Sequence, residues 1–314
     1  MKLISDVSVA PTWLWVTFCC AIFLLLLIDL SLFGKGAHKI SRKTALVESG
    51  IWVSVALIFN AWFAYNFGNE LGAEFLTGYL VEKSLSVDNL FIILLIFNSF
   101  GIPEQYQHRV LFYGVLGAIV LRAFFIVVGA QLLHLFHWIL YVFGAILVIT
   151  AIKFLRESDD QTDVKEHWSI GIIKRIIPTT SSFNGTHFFT VENGVRKATP
   201  LFLALVVIEV TDLIFAVDSI PAVFAVTQDA FVAFASNILA ILGLRALYFV
   251  LADWVSKLRY LKPGLAAVLG FIGVKMLLMD IFKIPSWVSL LVISAILITA
   301  TLGSWYVSRS EKKS

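Results

Sequence analysis

The chain has 314 residues, of which 59% are hydrophobic and 14% are charged, and its formal net charge is +3. With a mean hydropathy of +0.90, it cannot be an ordinary soluble domain, in which about 25% of residues are charged. We predict an all-α polytopic membrane protein that is surrounded by the lipid bilayer and has no nucleic-acid partner.

Nine stretches are long and apolar enough to cross a bilayer, since a helix of about 20 residues spans the hydrocarbon core. The first stretch does not look like a cleavable signal peptide. Its Cys19 and Cys20 are expected to pack against neighbouring side chains, without forming a disulfide or a metal site. The predicted spans are residues 12–33, 46–66, 75–99, 109–131, 138–155, 199–226, 232–252, 264–281 and 286–307.

The basic residues of the loops predict the orientation, because lysine and arginine accumulate on the cytoplasmic side. Nearly all loop lysines and arginines fall on one side of the membrane, and the opposite side has only Lys2 and Lys283. Nine spans then place the N-terminus outside and the C-terminus in the cytoplasm. We expect the protein in the inner membrane of a bacterium.

Spans three to five form a three-helix unit that recurs in spans six to eight. Because each unit has an odd number of spans, the second copy must enter the membrane inverted, and inverted repeats are typical of secondary transporters. The repeated charges support the alignment of the two units. They are Glu82 with Asp212, Asp88 with Asp218, Arg122 with Arg245, and Lys153 with Lys275.

The predicted organisation therefore has five parts. Within the connecting linker, the sequence from 167 to 177 predicts a helix on the membrane surface, and Asn193-Gly194 between apolar runs predicts a β-hairpin. We favour a plain connection over a regulatory or docking element. The parts are two N-terminal spans (1–74), the first repeat (75–155), the cytoplasmic linker with its hairpin (156–198), the second, inverted repeat (199–281), and the last span with its cytoplasmic tail (282–314).

Five carboxylates lie inside the predicted membrane region, in "EKSLSVDN" (82–89) and "EVTDLIFAVDSIPA" (209–222). Each costs about 2.5–3.5 kcal/mol at the centre of a lone span, so five are not expected without a role. They are either buried ion pairs or a cation site, and the acids outnumber the bases of the spans, which favours a site. The predicted ligands are Glu82, Asp88, Asn89, Glu209, Asp212, Asp218 and Ser219, with Lys83, Arg122, Arg245 and Lys275 as supporting charges.

The spacing of the second motif indicates how its acids are arranged. Glu209 and Asp212 are three residues apart and share one helix face, whereas Asp218 lies about 9 Å further along and is rotated away. Pro221 cannot donate to the carbonyl of Val217, so we predict that the helix kinks or opens beside Asp218. Carboxylate, amide and hydroxyl oxygens favour a hard divalent cation such as Mg²⁺, Ca²⁺ or Mn²⁺.

These two motifs, with "LGLRALYF" downstream, resemble the TerC family of integral membrane proteins, and most of all its Alx branch. The resemblance covers nearly the whole chain, and it implies manganese export with Mn²⁺ as a transported substrate and no resident cofactor. Export of a divalent cation against an inside-negative potential costs about 4.6 kcal/mol per 100 mV. Because carboxylates exchange protons for metal, we expect a manganese/proton antiporter and no enzyme.

Two other classes of function stay open. The chain could be a non-transporting scaffold or a metal-delivery subunit of a metal-resistance or secretion complex. It could also be an intramembrane aspartyl protease with Asp88 and Asp218 as its pair. The protease is disfavoured because both aspartates lack the Gly-Xaa-Gly-Asp context that such enzymes usually have.

Overall fold

The computed structural model describes residues 8–33, 42–136, 138–156, 177–251, 260–282 and 284–311. The surface helix expected between 167 and 177 therefore lies almost entirely outside the described residues. The helices are α1 (Thr12–Phe33), α2 (Arg42–Phe67), α3 (Asn69–Phe100), α4 (Glu104–Leu135), α5 (Ile139–Arg156), α6 (Pro200–Val226), α7 (Ala230–Leu242), α8 (Leu244–Leu251), α9 (Leu261–Leu277) and α10 (Ser286–Glu311), and the strands are β1 (Phe189–Glu192) and β2 (Val195–Ala198).

Six helical segments of the described chain are long and apolar enough to cross a membrane: α2, α4, α5, α6, α7 together with α8, and α10. Helices α1 and α9 contain shorter apolar stretches, and α3 interrupts its apolar sequence with several charged residues. The predominantly helical, multi-pass architecture is confirmed. The number of nine spans and the inverted repeat stay predictions.

Helix α7 is the centre of the bundle. Every one of its side chains is buried, and it contacts α2, α3 and α4. A helix that is apolar all round is expected to be enclosed on all sides. Its first turn is capped by Asp229, whose carboxylate accepts from the backbone N–H groups of Phe231 and Val232 at 2.9 Å each.

Small residues allow the helices to approach closely, as is usual in membrane proteins. Helices α5 and α9 cross at Gly144 and Gly273, where a Cβ added at 273 would lie 2.8 Å from the carbonyl oxygen of Gly144. Helices α3 and α7 meet at Gly78, whose added Cβ would lie 2.9 Å from Oγ of Ser236. These crossings bring polar groups on neighbouring helices within hydrogen-bond distance of one another.

Two helix breaks differ from the expectations. The seventh predicted span is present as a helical segment from Ala230 to Val250, with a one-residue turn at Gly243 between α7 and α8. Of the kink or opening expected at Pro221, the opening is absent, since α6 continues unbroken from Pro200 to Val226, and the kink stays a prediction. The proline removes one backbone donor, but residues 219–224 are buried on all sides, and this packing holds the backbone in helical form.

The predicted hairpin is confirmed. Strands β1 and β2 pair antiparallel with Glu192 opposite Val195. Asn193 and Gly194 form the turn with positive φ angles of 52° and 76°, as a two-residue type I′ turn requires. The hairpin leads directly into α6, and we call this end of the bundle, which also holds the α3–α4 turn, the hairpin end.

The segment before the hairpin docks on α4. Arg109 donates to Oγ1 of Thr186 at 2.7 Å, and the Tyr113 and Phe188 rings meet edge-on with centroids 5.2 Å apart. The described part of the linker is therefore an ordered cover on the hairpin end of α4 and α6.

Candidate functional site

The centre of the site is Arg122, a residue of α4 that is only 1% exposed. Its guanidinium donates to Glu82 of α3 and to Asp212 of α6, the latter at 3.2 Å. It also donates to Oγ of Ser219 at 3.1 Å. The guanidinium of Arg122 thus binds two carboxylates, one from each of the two predicted repeats. All three charged residues lie near the middle of their helices.

Glu82 is fully buried and is held from two sides. Beyond its ion pair with Arg122, it accepts from Nδ2 of Asn237 on α7 at 2.9 Å. Burial of an ionised carboxylate is strongly unfavourable unless such partners are present. Glu82 is therefore the fixed member of the cluster.

Asp212 is held less completely. Its Oδ1 accepts from Arg122, but its Oδ2 is buried and has no hydrogen-bond partner within the protein. Asp212 also lines a cavity of about 30 Å³, which we call the Asp212 cavity. A buried carboxylate oxygen without a donor is unfavourable, and here it lies beside a space large enough for about one water-sized ligand.

The wall of the Asp212 cavity contains both polar and apolar side chains. Asn89 and Thr211 contribute polar side chains, and Phe215 and Leu244 contribute apolar ones. Asn89 and Phe215 also line a second, smaller cavity of about 10 Å³ that is lined by Asp218, Ser219 and Arg122.

Asp218 lies on a different face of α6 from Asp212, as the six-residue spacing predicts. Its Oδ1 accepts from Oγ1 of Thr150 on α5 at 2.8 Å. Glu209 lies on the other side of Asp212, where its carboxylate is so close to Gly117 of α4 that an added Cβ would overlap it. Glu209, Asp212 and Asp218 are therefore spread along about 13 Å of α6. Glu209 faces α4, and Asp218 faces α5.

Asp88 lies on α3 immediately before Asn89, and the structure describes its backbone but not its side chain. Among the side chains that are described, no three His, Cys, Asp or Glu residues are grouped closely enough to hold a metal ion. A cation in the Asp212 cavity would therefore be bound by few protein oxygens together with water.

Of the predicted supporting charges, only Arg122 contacts the acids of the motifs in the interactions that the structure describes. Lys83 donates to the backbone carbonyl of Ala240 at 3.0 Å, at the end of α7. Lys275 lies at the opposite end of the bundle from the hairpin, where it lines a cleft of about 580 Å³. Arg245 forms a buried ion pair with Glu48 of α2.

Three residues of these networks are absent from the sequence-based prediction. Glu48 lies near the start of the predicted second span. It could have been predicted as a functional or paired residue, because it is an acid inside an apolar stretch. Asn237 and Thr150 are uncharged polar residues in mostly apolar helices, and no sequence pattern indicates their contacts with Glu82 and Asp218.

Comparison with known proteins gives the family. The sequence model of the integral membrane protein TerC family matches residues 67–312. The chain belongs to the TerC family. The resemblance of the two acidic motifs is thereby confirmed.

Named relatives within this family cover nearly the whole chain. An uncharacterized membrane protein of Myxococcus xanthus is 48% identical over 96% of this chain and 95% of its own length. The protein of Salmonella typhi named "Putative membrane-bound redox modulator Alx" is 44% identical over 98% of both chains, and the Escherichia coli K12 protein of the same name is also 44% identical. No solved structure matches this TerC-family chain significantly.

Proposed function

We propose that this TerC-family protein is a secondary transporter that exports a hard divalent cation, with Mn²⁺ as its principal substrate, in exchange for protons. In this proposal the N-terminus lies outside, and the hairpin end faces the cytoplasm of a bacterial inner membrane. The protein is not an enzyme and has no resident cofactor.

The observation that carries the proposal is the free Oδ2 of Asp212 beside its cavity. In the central cluster one guanidinium faces two carboxylates, which leaves one negative charge to be balanced. A proton neutralises this charge, and a divalent cation that displaces the proton is attracted to the same carboxylate. Alternate occupancy of one carboxylate by a proton and by a metal is the chemical basis of antiport.

The choice of cation rests on the oxygens that surround this position. Asn89 and Thr211 accompany Asp212 in the wall of the cavity, and amide, hydroxyl and carboxylate oxygens favour hard cations over Zn²⁺ or Cu²⁺. The small number of protein oxygens suits a transported ion, which must leave as readily as it binds. The preference for Mn²⁺ among hard cations comes from the family resemblance.

The contacts between helices are consistent with two inverted repeats. Helix α3 contacts α7, α4 contacts α6, and α5 contacts α9. If α3, α4 and α5 correspond to α6, α7–α8 and α9, then exchanging the two units leaves this set of contacts unchanged. Such pseudo-symmetry around a midplane site supports alternating access by movement of one unit against the other.

The test is metal flux into proteoliposomes with an imposed pH gradient, comparing Mn²⁺, Ca²⁺, Mg²⁺ and Zn²⁺. We expect Mn²⁺ to move, Zn²⁺ not to move, and Asp212→Asn to abolish movement, because the amide cannot exchange a proton for a cation. Asp218→Asn should also reduce flux. Asp280→Asn, which alters a carboxylate beyond the end of α9, is the matched control and should transport normally.

A non-transporting scaffold would instead tolerate Asp212→Asn without loss of function in the cell. A protease would cleave membrane substrates in a manner that depends on Asp218. The redox role in the names of the relatives would have to involve Cys19 and Cys20, this chain's two cysteines. Flux of no metal by well-folded protein would exclude the transporter and favour the scaffold.

A further inference from the structure

We infer that α8 is a gate that closes the Asp212 cavity from the hairpin end and swings about Gly243. This inference rests on the proposed transport function and deepens it, because it names the part of the protein that moves. It also assigns roles to Lys83, Glu48 and Arg245, which the proposed ion exchange does not use.

The position of α8 places it in contact with the cavity. Leu244, the first residue of α8, lines the Asp212 cavity together with Leu111 of α4 and Ile96 of α3. These residues lie on the hairpin side of Asp212 along their helices. In the gate, an ion that travels between the hairpin end and Asp212 passes this apolar group.

The hinge is the break at Gly243. Helices that are interrupted at membrane depth are tolerated where the freed backbone groups find partners inside the protein. Here the ammonium of Lys83 binds the carbonyl of Ala240, in the last turn of α7, where a cation is favourable. An added Cβ at 243 would lie 2.8 Å from this ammonium and 3.1 Å from Cβ of Trp52, so a larger residue is accommodated only if the lysine and the tryptophan shift.

Two polar contacts hold α8 in its closed position. The buried Arg245–Glu48 ion pair joins α8 to α2. One turn further along α8, the hydroxyl of Tyr248 donates to Oε1 of Gln107 on α4 at 3.0 Å. Both contacts are made by side chains within the first five residues of α8, Leu244 to Tyr248, so a rotation at Gly243 would release them together.

The two ends of the bundle hold spaces of different size. The cavity on the hairpin side of Asp212 is about 30 Å³. The separate cleft at the opposite end, lined by Glu70, Glu74 and Lys275, is about 580 Å³, and Asp212 is not part of its wall. In the gate, α8 moves so that an ion from the hairpin end is loaded at Asp212.

The experiment locks α8 to α4. In a chain with Cys19→Ser and Cys20→Ser, the substitutions Tyr248→Cys and Gln107→Cys are joined by a bifunctional maleimide with a disulfide in its spacer. Mn²⁺ flux into proteoliposomes is measured before cross-linking, after it, and after reduction of the spacer. The single variant Tyr248→Cys, treated in the same way, is the matched control.

We expect cross-linking to reduce Mn²⁺ flux to the level of the molecules that escape it, and reduction to restore the flux. A purely structural role for α8 would not give a reversible loss. Undiminished flux in the cross-linked protein would overturn the gate while leaving the transporter intact. Absence of Mn²⁺ flux from the wild-type protein would overturn the transporter, and the gate with it.

A second measurement needs no transport. In the same cysteine-free chain, Leu244→Cys is exposed to a membrane-impermeant maleimide applied from the hairpin side. We expect a labelling rate that changes when Mn²⁺ is added. A labelling rate that is insensitive to Mn²⁺ would contradict the gate.

Discussion

Neutralising one member of the Glu48–Arg245 pair should destabilise the protein far more than neutralising both. The two side chains are 4% and 3% exposed, so either one left alone is a buried charge without its main partner. Loss of one partner from such a pair costs about 3–5 kcal/mol, whereas replacing both by neutral groups of similar volume is often about neutral. We therefore expect Glu48→Gln and Arg245→Met each to lose about 3–5 kcal/mol, and the double variant to recover most of this loss.

The assay is unfolding in mixed micelles with increasing denaturing detergent, followed by the fluorescence of the nine tryptophans. A double-mutant cycle then isolates the interaction between the two side chains. The hairpin pair Lys197–Glu192, 27% and 34% exposed, is the matched control, and its cycle should be nearly additive. Additive losses at the buried pair, or single losses below about 1 kcal/mol, would refute the reasoning.

Three further outcomes are expected. Gly117→Ala should displace the carboxylate of Glu209 and reduce metal flux with little change in unfolding, whereas Gly50→Ala, which has nothing within 4 Å, should change neither. Gly243→Ala should cost about 1–3 kcal/mol in the unfolding assay, because the added Cβ meets a tryptophan Cβ at 3.1 Å and the backbone there is closely packed. Two hydroxyls and a lysine ammonium lower the pKa of Glu192 from 4.5 to about 2, so its contribution to hairpin stability should be complete above pH 4.5 and disappear as the pH falls through 2. Carboxyl NMR of the labelled residue checks this; a midpoint near 4.5 would contradict it.

The helices were the most predictable part of the structure. Long apolar runs have few alternatives in a bilayer, because every backbone group must be satisfied within the segment. The described helices accordingly match the predicted spans to within a few residues at most ends. The hairpin was equally predictable, since Asn193-Gly194 favours one turn geometry.

The pairing of charges was less predictable. The sequence indicates which residues are costly to bury, but the partner of each depends on how the helices cross. Arg122 binds acids of both predicted repeats, while Arg245 binds Glu48 of α2, outside the repeats. A sequence comparison that aligns Arg122 with Arg245 cannot distinguish these two environments.

The helix breaks were misjudged for a related reason. Pro221 removes one hydrogen bond, but close packing around it keeps α6 intact. Gly243 removes none, yet α7 and α8 are separated there, where a lysine and a tryptophan from other helices lie close to its backbone. At Pro221 tertiary packing outweighs the local preference.

The most direct test of the proposed function records Mn²⁺ and protons together in one proteoliposome preparation, with a fluorescent indicator for each ion. The proposal predicts that entry of Mn²⁺ into the vesicles drives protons out of them. It also predicts that collapse of the pH gradient with a protonophore stops the uphill movement of Mn²⁺. Mn²⁺ movement that is unaffected by the pH gradient would contradict proton-coupled export.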